Sequence, residues 1–186
     1  MKRKSILKFL IKSVSLGLFI VLLLNYRYPF FTQSSEGWSV GYSKSNNFNF
    51  SVPIDEINIL HKYDVIGEDY ESDFIADPFF IDKNDTTYIF VENQVKGSNA
   101  NISLFTLFER GVEYKGTVID EDFHMSYPQV FKYKEEYYML PETKRSNNVI
   151  LYKAKNFPNE WVQFDTLIPN VRYKDPTLLL SDKGNY

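Results

Sequence analysis

The sequence predicts an all-β fold behind an N-terminal hydrophobic helix, and three observations support this. A two-residue motif recurs as Asp77-Pro78, Tyr127-Pro128 and Asp175-Pro176, at offsets of 50 and 48 residues. Aromatic residues make up 17% of the chain, and aromatic side chains favour the pleated surface of strands. Residues typical of turns separate the short apolar runs. Four-stranded units that repeat about every 50 residues are typical of the blades of a β-propeller.

The first 27 residues predict a membrane anchor. Residues 1–27 carry six basic side chains and no acidic one, and the stretch 6–24 is charged only at Lys8 and Lys12. Its 19 residues approach the ~20 that span a bilayer, and the basic end is expected in the cytoplasm. No small-x-small cleavage site follows. We therefore predict an uncleaved, single-pass signal anchor at 1–27 with the remainder outside the cytoplasm; a cleaved signal peptide and a peripheral helix are alternatives.

The rest of the chain divides into a linker at 28–36 and an incomplete propeller at 37–186. A first strand is expected at 37–42, with Trp38 in the core, and 46–58 is expected to be irregular. The predicted blades are about 74–121 and about 124–170, with the start of a third at 172–186. Their eight strands are predicted at 75–82, 87–93, 101–108, 114–119, 128–133, 136–140, 149–154 and 161–167. Because the third copy of the repeat is only about ten residues long at Tyr186, we expect an N-terminal fragment of a longer protein.

Composition excludes several classes of function. The chain has no cysteine and two histidines, which removes disulfides and thiol nucleophiles and argues against a zinc site. The chain beyond residue 27 holds 15 basic and 24 acidic residues, and such an acidic body argues against a nucleic-acid partner. We predict no cofactor and no metal.

The repeated motif predicts a functional site. The first strand of each blade lines the channel of a propeller, so the equivalent residues Asp77, Tyr127 and Asp175 should meet at one rim. Counting along the two hairpins places Glu92 opposite Asp77 and Glu142 opposite Tyr127. Clustered acids should raise at least one carboxyl pKa, and paired carboxyl groups are the groups that glycoside hydrolysis uses.

We assign Asp77 as the catalytic-type carboxylate. The predicted substrate-binding residues are Glu92, His124, Tyr127, Glu142 and Asp175. The alternative is that the acids cap strand ends and accept hydrogen bonds from backbone. The polar turn that contains Lys144 and Arg145 either meets a phosphate or is solvated.

Four sequence blocks together resemble a known family: 74–79 (FIADPF), 126–128 (SYP), 141–143 (PET) and 175–178 (DPTL). Over about 37–186 the chain resembles the N-terminal domain of glucosamine inositolphosphorylceramide transferases and related bacterial proteins. The resemblance implies a five-bladed β-propeller related to glycoside hydrolase families 43 and 32, with a surface that faces sugar.

The same resemblance implies roles for individual residues. Asp77 matches the general base of family 43, whereas Tyr127 stands where that family has a second Asp. The general acid is expected from a blade that is absent or barely begun here. In the plant transferases, sugar transfer belongs to a separate C-terminal domain.

The function predicted from these observations is that of a membrane-tethered, carbohydrate-recognising module of glycoside-hydrolase-like ancestry. Its expected partners are a glycan or other sugar-containing ligand and, through the N-terminal helix, the membrane. Two alternatives remain open at this point. One is an inverting glycosidase that is active only as a full-length chain, and the other is a truncated remnant without function.

Overall fold

A computed structural model describes residues 2–27, 37–44, 53–109, 111–181 and 184–185. The chain divides into two compact units, Met1–Ser35 and Glu36–Tyr186. The predicted linker at 28–36 lies outside the described residues.

The first unit contains one helix, α1, over Lys2–Arg27. Its segment Ser5–Tyr26 has 22 residues and a mean hydropathy of 2.2, and at 1.5 Å per residue it is about 33 Å long. This length matches the ~30 Å hydrocarbon core of a bilayer. Residues 13–24 are uncharged, so apolar side chains lie on all sides of that part of the helix. The prediction of an N-terminal apolar helix is confirmed, and the helix fits a membrane anchor.

The second unit is built from antiparallel strands in open sheets, which confirms the all-β prediction for this part of the chain. Sheet I contains β3 (Ser72–Lys83), β4 (Thr86–Val95), β5 (Ala100–Phe108) and β6 (Gly111–Ile119). Sheet II contains β7 (Ser126–Tyr133), β8 (Glu136–Glu142), β9 (Asn148–Asn156) and β10 (Glu160–Pro169). Both sheets keep their strands in chain order. All eight predicted strands are present, most of them longer than predicted.

Two short strand pairs accompany these sheets. Strand β1 (Val40–Tyr42) pairs with β2 (Asn58–Leu60), and β11 (Leu180–Ser181) pairs with β12 (Gly184–Asn185). Strand β2 begins at the last residue of the segment 46–58 that was predicted to be irregular, and 46–52 of that segment lies outside the described residues. Trp38 corrects a prediction, because it precedes β1 and is 70% exposed.

The apolar core lies on both faces of sheet I. One cluster joins sheet I to sheet II and is lined by side chains that include Phe90, Leu104, Met139 and Tyr152. The other cluster joins the opposite face of sheet I to β1 and β2, and it includes Val40, Leu60 and Phe105. Sheet I is therefore covered on both faces. The predicted site residues lie towards one end of both sheets, opposite the β3–β4 and β7–β8 turns.

Candidate functional site

The three residues that begin the repeats share an unusual backbone conformation. Asp77, Tyr127 and Asp175 have φ angles of 48°, 50° and 47°. Positive φ is uncommon outside glycine and costs free energy unless neighbouring structure imposes it. A proline follows each of the three residues and supplies no N–H to the strand ladder. The repeat seen in the sequence is thus also a repeat of backbone geometry.

This conformation corrects the predicted hairpin register by one residue. Glu92 pairs with Ala76 rather than Asp77, and Glu142 pairs with Ser126 rather than Tyr127. The register shifts lie between Ala76 and Phe79 and at the matching place in sheet II. An extra residue on one strand is a β-bulge, which bends the strand and redirects side chains. Each bulge therefore moves the side chain of Asp77 or Tyr127 out of the regular alternation.

Four carboxyl groups meet at this end of the sheets, and we call Asp77, Glu92, Glu142 and Asp175 the carboxylate rim. Glu92 is the most buried of them, with 7% of its surface exposed. Burial raises the pKa of Glu92 to about 8, with further contributions from a hydrogen bond and the charge of Asp77 and from the charges of Glu142 and Asp175. At neutral pH Glu92 is therefore mostly protonated, and it donates a hydrogen bond as well as accepting them.

A second pair joins the two outer carboxyl groups. The backbone N–H of Asp175 donates to Oε2 of Glu142 over 3.1 Å. Burial raises the pKa of Glu142, and a side-chain hydrogen bond with Asp175 raises it further, whereas the backbone hydrogen bond and Lys144 act in the opposite direction. Glu142 is half-buried and Asp175 is exposed. The solvent exposure of the rim acids thus increases from Glu92 through Glu142 to Asp175.

His124 contacts the buried end of the rim in its neutral form. Its Nδ1 accepts a hydrogen bond from the backbone N–H of Ala100 over 3.4 Å, so the proton of the neutral ring lies on Nε2. Nε2 is 3.4 Å from Oε1 of Glu92. Burial and the charge of Arg145 lower the pKa of His124, against the charge of Asp77. With Glu92 protonated and His124 neutral, this contact joins two uncharged groups and is not an ion pair.

Tyr127 lies beside the rim and contacts both neighbouring repeats. Its ring packs edge-on against Phe79, with centroids 4.8 Å apart, and its hydroxyl is 3.2 Å from Oγ1 of Thr177. The half-buried ring offers an aromatic surface where the other two repeats carry an acid.

Sequence reasoning missed the residue that holds the third repeat in place. The side-chain amide of Gln129 bonds both polar groups of the Leu178 backbone: it accepts from the N–H over 2.7 Å and donates to the carbonyl over 3.0 Å. This pairing fixes the segment that carries Asp175. Gln129 lies two residues beyond Tyr127, and this position beside a predicted site residue was the signal that the sequence offered.

The structure thus brings all six predicted site residues to one end of sheets I and II. A cleft of about 340 Å³ elsewhere between the sheets is lined by residues including Tyr88, Phe108 and Pro158, and none of the six site residues lines it. Within the described residues, no group of three acids or histidines is arranged to hold a metal ion. The rim offers hydrogen-bond acceptors at Asp77, Glu142 and Asp175, a donor at Glu92 and an aromatic face at Tyr127. Such a set matches the hydroxyl groups and apolar faces of a sugar.

Comparison with known proteins gives a consistent result. Residues 15–186 match the family model described as "Glucosamine inositolphosphorylceramide transferase 1, N-terminal". A protein of Oryza sativa subsp. indica named glucosamine inositolphosphorylceramide transferase 1 is 39% identical over 102 residues, which cover 53% of this chain and 14% of the relative. The Arabidopsis thaliana protein of the same name is 37% identical over 93 residues, which cover 48% of this chain and 12% of the relative. The match thus spans about one seventh of the length of these relatives. No solved structure matches the chain.

Proposed function

This chain belongs to the family of N-terminal domains of glucosamine inositolphosphorylceramide transferase 1, and on that premise we propose that it is a membrane-tethered module that recognises carbohydrate. The observation that carries the proposal is the carboxylate rim, in which Glu92 is buried against Asp77 and both outer acids are hydrogen-bonded. Burying acids close together costs free energy, and acids that only cap strand ends would not need to be clustered. The cluster therefore favours a binding role over strand capping. Sugar hydroxyls donate to the carboxylates and accept from protonated Glu92.

The proposed architecture is part of a β-propeller with five blades. Two features support it: sheets I and II have the same four-stranded order, and they pack face to face over a shared core. The equal φ angles of Asp77, Tyr127 and Asp175 support three equivalent repeats around one axis. In this proposal the blades are about 74–121 and 124–170, a third begins at 172, and the rim opens towards the central channel.

The proposed topology places the basic N-terminus in the cytoplasm. Six basic residues and no acidic residue lie within 1–27, and the positive-inside rule retains such a segment on the cytoplasmic side. The helix then spans the membrane as a single-pass anchor, and residues 37–186 and the carboxylate rim lie outside the cytoplasm.

Recognition is favoured over hydrolysis by the geometry of Asp77. Its strained φ is shared with Tyr127, which carries no acid, so the strain belongs to the repeat and does not single out a catalyst. Asp77 also hydrogen-bonds directly to Glu92, so Glu92 is too close to Asp77 to be the general acid of an inverting pair, whose carboxyl groups lie ~6.5–9.5 Å apart with water between them. The pair is therefore suited to bind a hydroxyl group. Asp77 remains the residue that we propose for any catalysis at the rim.

The proposal is tested by titrating the full chain with neutral sugars and polyols in lauryldimethylamine oxide, a detergent with neither a sugar nor a phosphate. Asp77→Asn and Glu142→Gln each remove an acceptor charge at the rim, and we expect each to weaken binding by about 10- to 100-fold. Glu135→Gln is the matched control, because Glu135 lies in a turn at the other end of sheet II and pairs with Lys132.

Calorimetry measures affinity, and release of reducing sugar from aryl glycosides measures turnover. Binding that is equal in all four proteins contradicts carbohydrate recognition at the rim. If the parent chain releases sugar and Asp77→Asn does not, the proposed function is glycoside hydrolysis and not recognition.

A further inference from the structure

We propose that the first part of the second unit lies against the lipid surface of the membrane that holds α1. We call the described residues 37–44 and 53–66 the juxtamembrane layer. It contains β1, β2 and two short 3₁₀ turns, Ile54–Glu56 and Lys62–Asp64. The inference rests on the membrane tether of the proposed function and is independent of carbohydrate recognition at the rim.

The length of the chain keeps the juxtamembrane layer near the bilayer. Helix α1 ends at Arg27, and the second unit is described from Gly37. The chain between these two residues spans at most ~36 Å when it is fully extended. A tether this short gives the layer a high effective concentration at the lipid surface, about millimolar, so that a weak affinity is enough to hold it there.

Only one side of the β1–β2 pair is used to pack against sheet I. Val40 and Leu60 are each 3% exposed and belong to the cluster that covers sheet I. Side chains alternate between the two faces of a strand, so Gly41 and its partner Ile59 lie on the other side. Ile59 is accordingly 52% exposed. A Cβ atom at Gly41 would lie 3.3 Å from Cγ2 of Ile57, so Ile57 also lies on that outer side.

The juxtamembrane layer is rich in exposed apolar side chains. Five large ones are between 37% and 70% exposed: Trp38, Ile57, Ile59, Tyr63 and Ile66. Sheet I is a longer stretch of chain, and its described residues include only two of this kind, Phe80 and Phe108. Single exposed apolar side chains are ordinary, whereas a concentration of them marks a contact surface.

Hydrogen bonds hold the ends of the layer together. Oγ of Ser39 lies 3.1 Å from Nδ1 of His61. The backbone N–H of His61 donates to Oδ2 of Asp64 over 2.7 Å, and the N–H of Asp64 donates back to the carbonyl of His61 over 3.0 Å. Trp38 is adjacent to Ser39, and Tyr63 lies within the turn that His61 begins. Both aromatic side chains are therefore carried close to one contact, and they belong to one surface.

The chemistry of this surface fits zwitterionic lipid. Trp and Tyr side chains favour the interface between headgroups and acyl chains, because each has an apolar ring and a polar end. Nζ of Lys62 lies 5.3 Å from the centre of the Tyr63 ring, and a lysine beside such a ring extends its charge towards the headgroups. Residues 37–66 carry two basic and three acidic side chains. Apolar contact, and not net charge, is therefore the source of attraction.

The test uses the two tryptophans of the chain, Trp38 and Trp161. The full chain is reconstituted in phosphatidylcholine vesicles whose acyl chains are brominated near the headgroups, since bromine quenches tryptophan emission on contact. Trp161→Phe leaves Trp38 as the only emitter, and we expect brominated lipid to remove about half of its emission or more. Trp38→Phe leaves Trp161, which packs edge-on against Phe90 with centroids 5.6 Å apart, and its emission should not change. Subtracting the Trp38→Phe signal from that of the parent chain gives the same result without altering Trp161.

A second set of variants tests the surface itself. Ile59→Ser combined with Ile66→Ser removes exposed apolar area from the layer, and we expect it to reduce the quenching of Trp38 by about twofold or more. Phe164→Ser is the matched control, because Phe164 is 54% exposed but lies on β10. It should retain the full quenching, and high salt should not reduce the quenching in any of these proteins.

Equal emission of Trp38 in brominated and unbrominated vesicles overturns the lipid contact. If the chain still floats with the vesicles in a density gradient, the tether stands and only the contact fails. If the chain does not float, the tether and the contact fail together. Emission that brominated lipid does not quench but that is protected from acrylamide overturns the lipid partner in favour of protein, such as a second copy of the chain. Quenching that high salt abolishes also contradicts the proposal, because it indicates attraction by charge.

Discussion

Glu92 is the residue at which burial and charge have the largest combined effect. It is 7% exposed and lies against His124 on one side and Asp77 on the other. Because its pKa is raised to about 8, the folded protein holds a proton that the unfolded chain releases near the ordinary pKa of 4.5. The protonation of Glu92 is therefore coupled to folding.

This coupling predicts how stability depends on pH. The contribution of Glu92 is complete below its unfolded pKa of 4.5 and is lost as the pH rises through about 8. Across that window the free energy of unfolding should fall by up to ~1.4 kcal/mol per pH unit on account of this group. Glu92→Gln cannot ionise, so its stability should not show this contribution. Urea titrations of the full chain and of Glu92→Gln at several pH values measure the difference.

The control for this prediction is Glu135→Gln, which changes an acid with 92% of its side chain exposed. It should retain the pH slope of the parent chain. Asp77→Asn should narrow the pH range over which stability falls, since Asp77 is one cause of the raised pKa of Glu92. Parallel pH curves for the parent chain and Glu92→Gln would contradict a raised pKa.

The sequence predicted which acids meet but not all of their neighbours. The repeat aligned Asp77 with Asp175, and the hairpins carried Glu92 and Glu142 to the same end. Arg145 was seen only as part of a polar turn, because its approach to His124 depends on the 3₁₀ turn Lys144–Ser146. The buried hydrogen bonds of the Thr143 hydroxyl set this turn. No rule based on residue spacing predicts such bonds.

At the level of the strands, sequence predicted their existence better than their register. Counting from the hairpin turns assumes regular pairing, and the bulges at Asp77-Pro78 and Tyr127-Pro128 break it by one residue. The proline at each bulge was the signal available in the sequence, because proline in a strand is confined to edges, first positions and bulges. Strand β2 was missed because it has three residues and pairs with β1, 18 residues earlier in the chain. So short a strand is stabilised by tertiary contacts and not by its own pattern.

The β1–β2 pair gives a prediction about tertiary stabilisation. Leu60 pairs with Val40, and both side chains are 3% exposed against sheet I. Leu60→Ala leaves a cavity between β2 and sheet I, and we expect it to lower the free energy of unfolding by about 2–5 kcal/mol. Urea titration of the full chain measures the loss.

Trp38→Ala is the matched comparison, because Trp38 is a larger side chain beside the same strand pair but is 70% exposed. It should change stability by less than about 0.5 kcal/mol. A Trp38 variant that is destabilised as much as the Leu60 variant would contradict the described packing.

At the level of the whole second unit, the repeat period predicted two sheets but not the faces that join them. Sheet I alternates apolar side chains on both faces, with Phe90 towards sheet II and Ile89 towards β1 and β2. A strand that is apolar on both faces is typical of a buried sheet. The sequence could not say which neighbour covers which face, because both clusters consist of the same residue types.

The shared core predicts that the two sheets unfold together. Phe90 is fully buried on sheet I and packs edge-on against Trp161 of sheet II, with centroids 5.6 Å apart. Phe90→Ala should cost about 3–5 kcal/mol, and the loss should reach both sheets because neither keeps its core without the other. Hydrogen exchange of the full chain, followed by mass spectrometry, should show equal losses of protection in β4 and in β8 and β9. Phe80→Ala, on the same sheet but 69% exposed, should leave protection unchanged, and a loss confined to sheet I in Phe90→Ala would mean that the sheets are separate folding units.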